Sequence, residues 1–385
     1  MGRTYQGLFD EGYTLILQQM KAATSQSIIW RGRRIDATIP PLLSAQNLGL
    51  RETVADSCRS AAARLALAAE TVPTDFAKLS VLIARGEALA SSYIEGVSAP
   101  VVDTLLPTPS TIGTSLNDAV DVVGFVRNMH HLDLSVATLC DWHRRLMRST
   151  PLAREHHGQL RTEQGWIGGT SPVDAALVTP PPDVVPKLIH DLVAFANRTD
   201  VEPILQAAVV HAQFEVNHPF ADGNGRVGRL LIDWVLARRL QLVSPPSISS
   251  VIMGDSGGYL SGLTLYRMGD LDSWVSWFSS VVQRASQRQL ALVQAVDELR
   301  AKWRIRLLAR RDSCAWAVLG LLPRHLVIDA RIIATELGVS IRAALTALES
   351  LAAAGILEEH SRPNGKGRPA RLFVAPDLLA LIDVR

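Results

Sequence analysis

The sequence predicts a mainly α protein: a helical bundle interrupted by one small β-hairpin flap and followed by a C-terminal winged helix-turn-helix. Three observations carry that expectation. Apolar residues recur at helical spacing along most of the chain. Ala, Leu and Arg are abundant while aromatics make up only 5% of 385 residues, which suits helices better than a β-sandwich. Two Gly- and Pro-rich stretches, 158–182 and 355–371, break the helical rhythm.

At 48% hydrophobic content the chain has ample material for buried cores and for two or three domains. The net charge of +2 is uninformative, but residues 301–385 hold thirteen Lys and Arg against eight Asp and Glu, so the basic character is C-terminal. Cys58, Cys140 and Cys314 lie far apart without paired spacing, which argues against a disulfide framework or a zinc site. The first residues lack an apolar signal core, Gln6 breaks the myristoylation pattern, and no run approaches a membrane span. A soluble, cytoplasmic protein with no membrane partner is expected.

Taken in order, residues 1–48 mix Tyr13–Leu17, Ile28, Ile29, Trp30 and the run Ile39–Leu43, and read as an arm on a larger body. Between Arg51 and Glu70 the residues Val54, Cys58, Ala62, Leu65 and Ala69 trace a helical stripe, which Pro73 ends. Thr74 is positioned to cap the next helix, whose Phe76, Leu79, Ile83 and Ala90 share a face and which Gly96 and Pro100 terminate. Near its end Ser91 and Glu95 stand four apart on one face, free to meet a cation or a loop. Helices are predicted over Asn117–Met129, Leu134–Met147 and Asp183–Phe195. Histidines 130, 131, 143, 156 and 157 have no carboxylate pattern beside them, so surface or core roles are expected. Gly168, Gly169 and Pro172 within 158–182 suit a β-hairpin.

The densest chemistry lies in His218-Pro-Phe-Ala-Asp-Gly-Asn-Gly-Arg-Val-Gly-Arg229. Ile204, Leu205, Ala208, Val209, Ala212 and Val216 lead into it as a helix, and Pro219 ends that helix at about His218. Val227, Leu230, Leu231, Trp234 and Val235 restart the period near Gly225 or Arg226, so the motif is a tight loop feeding a helix N-terminus. Gly223 and Gly225 let the backbone take φ > 0 and aim N–H groups at one point, where the helix's positive end also attracts an anion. Arg226 and Arg229, three apart on one face, are placed to grip further phosphate oxygens. A carboxylate at Asp222 makes sense if it holds Mg²⁺ bridging two phosphates, and His218 is placed to take a proton from a hydroxyl. Singly, these features suit an ordinary capped connection; together they point to phosphate chemistry.

Beyond the motif, Gly269–Val282 is expected to close the core and Ala285–Leu308 to bridge outward. Asp329–Gly338 and Ser340–Leu351 read as two helices of a helix-turn-helix, the second capped by Ser340 and stopped by Gly355. Ile356–Ser361 and Arg371–Val374 flank a Pro-Asn-Gly-Lys-Gly-Arg-Pro tip, a basic wing carrying Arg362, Lys366, Arg368 and Arg371. The second helix offers only Arg342 among Ala and Leu, so DNA binding competes with protein docking or a structural role.

The run from His211 to Arg229 resembles the signature of the Fic family, His-Pro-Phe-x-Asp/Glu-Gly-Asn-Gly-Arg-x-x-Arg, without departure at its defining positions. Glu87–Gly96 is similar to that family's inhibitory helix, Ser/Thr-x-x-x-Glu-Gly/Asn, in the class that carries it N-terminal to the core. The resemblance implies an α-helical enzyme that moves AMP from ATP to a Tyr, Thr or Ser hydroxyl of a target protein. It implies His218 as the base, Asp222 as the Mg²⁺ ligand, and Gly223, Asn224, Gly225, Arg226 and Arg229 as the nucleotide-binding set. It further implies Ser91, Glu95 and Gly96 as an inhibitory element whose Glu95 reaches Arg229, and Trp166, Ile167, Gly168, Gly169, Val178 and Thr179 as a target-docking flap, against the alternative of an ordinary surface loop. On this reading residues 1–115 are a helical arm with the inhibitory helix, 116–295 the catalytic core, and 296–385 a linker helix with the winged helix. Removal of AMP, transfer of another phosphate group, and a nucleotide-sensing DNA-binding regulator remain alternatives, and a homodimer stays open.

Overall fold

The computed structural model describes residues 20–72, 77–105, 109–242, 244–360 and 371–382. Tyr13–Leu17, the Thr74 cap, Phe76, and Arg362, Lys366 and Arg368 lie outside the described residues.

The N-terminal arm contains a hairpin that the sequence reading missed, β1 (Thr24–Trp30) against β2 (Arg33–Ile39). Its turn, Arg31-Gly32, places both residues at positive φ (46° and 77°), the geometry a two-residue hairpin needs, but Arg-Gly lacks the Asn-Gly signal that announces it. Next come α1 (Glu52–Glu70), α2 (Ala77–Ile94), α3 (Val101–Leu105) and α4 (Thr111–Asn128). The fourth helix begins six residues before the predicted Asn117, because Ser110 caps it through a hydrogen bond from the Gly113 N–H at 3.0 Å. Helix α5 (Val136–Met147) starts at a Ser135 cap, and the short flap strands β3 (Trp166–Ile167) and β4 (Leu177–Val178) pair antiparallel where a hairpin was expected.

Helices α6 (Val185–Ala196), α7 (Pro203–Asn217) and α8 (Asn224–Leu240) follow. Two helices went unread, α9 (Ser249–Met253) and α10 (Ser256–Arg267), the latter obscured by Gly257, Gly258 and Gly262. Residues expected to form separate closing and bridging stretches are one helix of 36 residues, α11 (Leu271–Arg306). The chain ends in α12 (Ala315–Leu321), β5 (Val327–Ile328), α13 (Ala330–Leu337), α14 (Ile341–Ala353), β6 (Glu358–His360), β7 (Leu372–Val374) and α15 (Pro376–Ile382). Its three strands form a sheet in the order β5-β7-β6.

Helices α7 and α8 sit at the centre. From Ile204 to Asn217 and from Asn224 to Ala237 every residue is buried, so both are covered on all sides. Trp142, Phe214, Trp234, Trp274 and Phe278 fill the surrounding core. A second core joins the outer part of α11, through Val296 and Trp303, to α12, α13 and α14. Helix α2 belongs to both: Ala84 and Ala88 face the first, while Leu79, Leu82 and Leu89 face the second. Among the described residues no helix is long and apolar enough to cross a membrane.

Candidate active site

Helix α7 stops because His218 adopts left-handed geometry (φ 45°, ψ 61°) and Pro219 brings no N–H to continue the ladder. The loop then closes on itself. Asn224 Oδ1 accepts from the Phe220 N–H at 2.9 Å while its Nδ2 donates to the Phe220 carbonyl at 2.9 Å, so its side chain clasps the loop. Gly223 caps α8 at φ 75°, where an added Cβ would come within 2.5 Å of Met147 Cε. Gly225 does not share the predicted positive φ: α8 begins at Asn224, so it lies in the first helical turn. Its lack of a side chain makes room instead, since a Cβ there would strike the Glu95 carboxylate.

His218 Nδ1 lies 3.3 Å from the Glu215 carbonyl. A carbonyl only accepts, so Nδ1 carries the proton and Nε2 keeps its lone pair. Burial pushes the imidazole down to about 4, which leaves it neutral and basic at neutral pH. Asp222 is exposed, and its Oδ1 accepts from the Gly223 N–H at 2.6 Å.

Arg226 and Arg229 are 5% and 2% exposed. Arg226 Nη2 rests on Met147 Sδ at 3.8 Å, while its Nε and Nη1 find no partner among the described residues. Arg229 donates to Ser91 Oγ (2.9 Å), the Ser91 carbonyl (2.7 Å) and Glu95 Oε1 (2.7 Å). Burial works against the charge on Arg229, but Glu95, Tyr259 and Glu215 together outweigh it and its pKa is raised. Glu215, in the same cluster, is pushed up to about 8 by burial, so it is protonated at neutral pH and leaves Glu95 as the charged partner. The chain turns away at Gly96, φ 75°.

In the flap, Trp166 pairs with Val178 and Ile167 with Leu177. Gly168 and Gly169 bend the tip at φ 69° and 70°, and the Thr179 N–H closes the base on the Gly165 carbonyl at 3.2 Å. Thus His218, Asp222, Gly223, Asn224, Gly225, Arg226 and Arg229 share one loop and helix start, with Ser91 and Glu95 laid across Arg229.

The Fic/DOC family model matches residues 133–236, a span that contains this loop and the flap. The chain carries a Fic/DOC family domain. Protein adenylyltransferase fic-1 of Caenorhabditis elegans is 26% identical over 199 residues, 48% of this chain but only 36% of that relative's length. A probable protein adenylyltransferase of Aquifex aeolicus is 47% identical over 58 residues, covering 15% of this chain and 18% of its own. Among solved structures, a Fic family protein from Desulfovibrio desulfuricans G20 superposes with a TM-score of 0.51 at 20% identity, covering 84% of this chain and 94% of that one. These likenesses establish a mainly α, Fic-type bundle.

Two further side chains of the Fic domain hold the loop in place. His143 stacks on Phe220 (centroids 4.0 Å, planes 5° apart), accepts from the Gly158 N–H at Nδ1 (2.8 Å) and donates from Nε2 to the Asp222 carbonyl (3.0 Å). Burial pushes it down to about 4, so it stays neutral. Arg161, 7% exposed, donates to the carbonyls of His218 (2.7 Å), Pro180 (2.6 Å) and Glu163 (2.9 Å), tying flap to loop without a carboxylate partner among the described residues. Burial lowers its pKa to about 10. Its only sequence signal was a position just before the flap.

The residues present fit a nucleotide. Buried donors at Arg226 Nε, Arg226 Nη1 and Arg229 Nη1 lack partners, and phosphate oxygens would supply them. No group of three or more His, Cys, Asp or Glu able to hold a metal occurs among the described residues. A lone carboxylate at Asp222 nonetheless suits Mg²⁺, which usually takes one or two protein carboxylates plus phosphates.

Proposed function

We propose that this chain is a nucleotidyltransferase that moves AMP from ATP to a hydroxyl side chain of a target protein, and that Glu95 restrains it. The observation that carries the reading is a neutral His218 with Nε2 free, set at the edge of a helix N-terminus whose Arg226 has unpaired buried donors. His218 Nε2 takes the proton as the hydroxyl oxygen bonds to the α-phosphorus. The α–β P–O bond breaks and pyrophosphate leaves. Arg226, the first N–H groups of α8 and, once freed, Arg229 hold and neutralise the phosphates. Asp222 would hold Mg²⁺, which when bound offsets phosphate charge. The flap supports docking by an extended target segment, because β3 and β4 form a two-stranded sheet that no third strand joins among the described residues.

Restraint follows from Arg229. Its guanidinium is committed to Ser91 and Glu95, and the Glu95 carboxylate lies against Gly225, where an incoming phosphate would meet its charge. For residues 327–382 we propose a winged helix that docks protein rather than reads DNA. Arg371, one of the cations offered for phosphates, is committed to Glu349 and to Glu359 at 2.7 Å. Incubation of the purified chain with α-³²P-labelled ATP tests the central reading: acid-stable label on protein, absent in His218→Ala, is expected, and reversible nucleotide binding without covalent label would overturn it.

A further inference from the structure

The N-terminal hairpin lies beside the flap. Strand β2 packs along β4, and Trp30, the last residue of β1, meets Trp166 of the flap edge-on with centroids 6.2 Å apart at 65°. Registry puts Ile28, Trp30, Arg33, Ile35 and Ala37 on one face of the hairpin, and Ile35 and Ala37 are buried. The tight Arg31-Gly32 turn therefore fixes its tip next to the flap rather than letting it wave in solvent.

That tip is strongly basic. Arg31, Arg33 and Arg34 are all exposed, and Arg31 and Arg33 form no ion pair with a carboxylate among the described residues. The Arg31 guanidinium lies 4.9 Å from the Trp30 ring centre, which holds the charge beside the Trp30–Trp166 contact. Arg34 donates to Ser27 Oγ at 3.0 Å, and Ser27 in turn reaches Asp36. Asp174 of the flap is held by its own loop rather than paired with these arginines. Its carboxylate accepts from the Thr170 and Ser171 amides at 2.9 and 2.8 Å and from their hydroxyls at 3.0 and 2.6 Å, which hold it well below the usual carboxylate range.

We infer that the β1–β2 hairpin is the second wall of the target-docking surface and that Arg31 and Arg33 select an acidic, extended segment next to the modified hydroxyl. This rests on the proposed transfer to a protein hydroxyl. Flap backbone then supplies affinity without sequence preference, and the hairpin supplies charge preference and steering. An exposed charge pair discriminates by about fivefold at most, so two arginines acting together give about tenfold or somewhat more at low salt, fading as salt rises.

The test measures binding and transfer separately on the full chain. Two fluorescein-labelled peptides with a central Tyr, flanked by Glu in one and by Lys in the other, are titrated by anisotropy at low salt. The Glu peptide is expected to bind about tenfold tighter, and the doubly substituted R31S/R33S chain to lose that preference while its ATP affinity is unchanged. Equal binding of the two peptides, or a preference that survives in R31S/R33S, overturns the inference. AMP transfer to the same peptides is followed in parallel in a Glu95→Gly background. Charge preference without any transfer, to peptide or to self, would sink the activity and leave the docking surface standing.

Discussion

Replacing Glu95 with glycine removes the one carboxylate that Arg229 pairs with among the described residues while leaving the phosphate loop untouched. The pair is asymmetric: the arginine side chain is 1% exposed and the glutamate 36%. The contact is thus a charge-assisted hydrogen bond with one half-wet end, worth about 1.5–3 kcal/mol rather than the larger figure of a dry ion pair. If ATP needs Arg229 free, the competent fraction of the chain is reduced by about ten- to 150-fold, and Glu95→Gly should raise self-modification by that factor. Glu95→Gln keeps an acceptor but not the charge and should fall between the two. Rates of labelling by α-³²P ATP, compared across wild type, Glu95→Gly and the Glu95→Gly/His218→Ala double variant, decide it. Equal rates in wild type and Glu95→Gly would refute the restraint. A rise that persists in the double variant would refute His218 as the base.

His218→Ala should cut transfer by about 10²–10⁴-fold with ATP affinity nearly unchanged, since no phosphate contact is removed; a parallel loss of affinity in calorimetry would assign it a binding role. Its low pKa also sets the pH profile. The base is neutral above about pH 4, so the acid limb of kcat in a Glu95→Gly chain should fall below pH 5, and a limb centred near 6.5 would show that the imidazole titrates as if in water. Arg161→Met leaves the carbonyls of His218, Pro180 and Glu163 without their donor, so unfolding should cost about 2–4 kcal/mol less and transfer should drop; an unchanged denaturation midpoint would show that the carbonyls re-pair. Leu89→Ala opens the second core behind α2, destabilising by about 2–5 kcal/mol and loosening the helix that carries Glu95, so self-labelling should rise; a less stable chain with unchanged labelling would uncouple the two.

Local rules made the chemistry legible. His218, Asp222, Gly223, Arg226 and Arg229 lie within twelve residues, so proximity along the chain guaranteed proximity in space, and Pro219 with Gly223 sets the turn whatever surrounds it. Helices α1, α5 and α6 were equally plain, because each buries one stripe and exposes the other. Less was legible where local signals were weak or misleading. The β1–β2 turn uses Arg-Gly, the glycines of α10 hide its period, and α11 was divided where nothing in its backbone breaks. Gly225 shows the same limit from the other side, since a glycine excused by conformation turned out to be needed for space.

The sequence by itself determined a helical chain with a phosphate-loop motif and a nearby Ser91/Glu95 pair, because spacing along one helix or one loop is local information. The resemblance pointed to Glu95 reaching Arg229, and the structure shows that contact across 134 residues; only the tertiary structure decided that Ser91 holds Arg229 as well, that His143 and Arg161 brace the loop, and that the hairpin stands beside the flap. It also decided that α2 is held between two cores, with Leu79, Leu82 and Leu89 covered by the C-terminal elements. Such contacts join segments whose own patterns say only that they are buried or basic. Burial depends on which surfaces remain uncovered once α7 and α8 are enclosed, and no local pattern contains that sum.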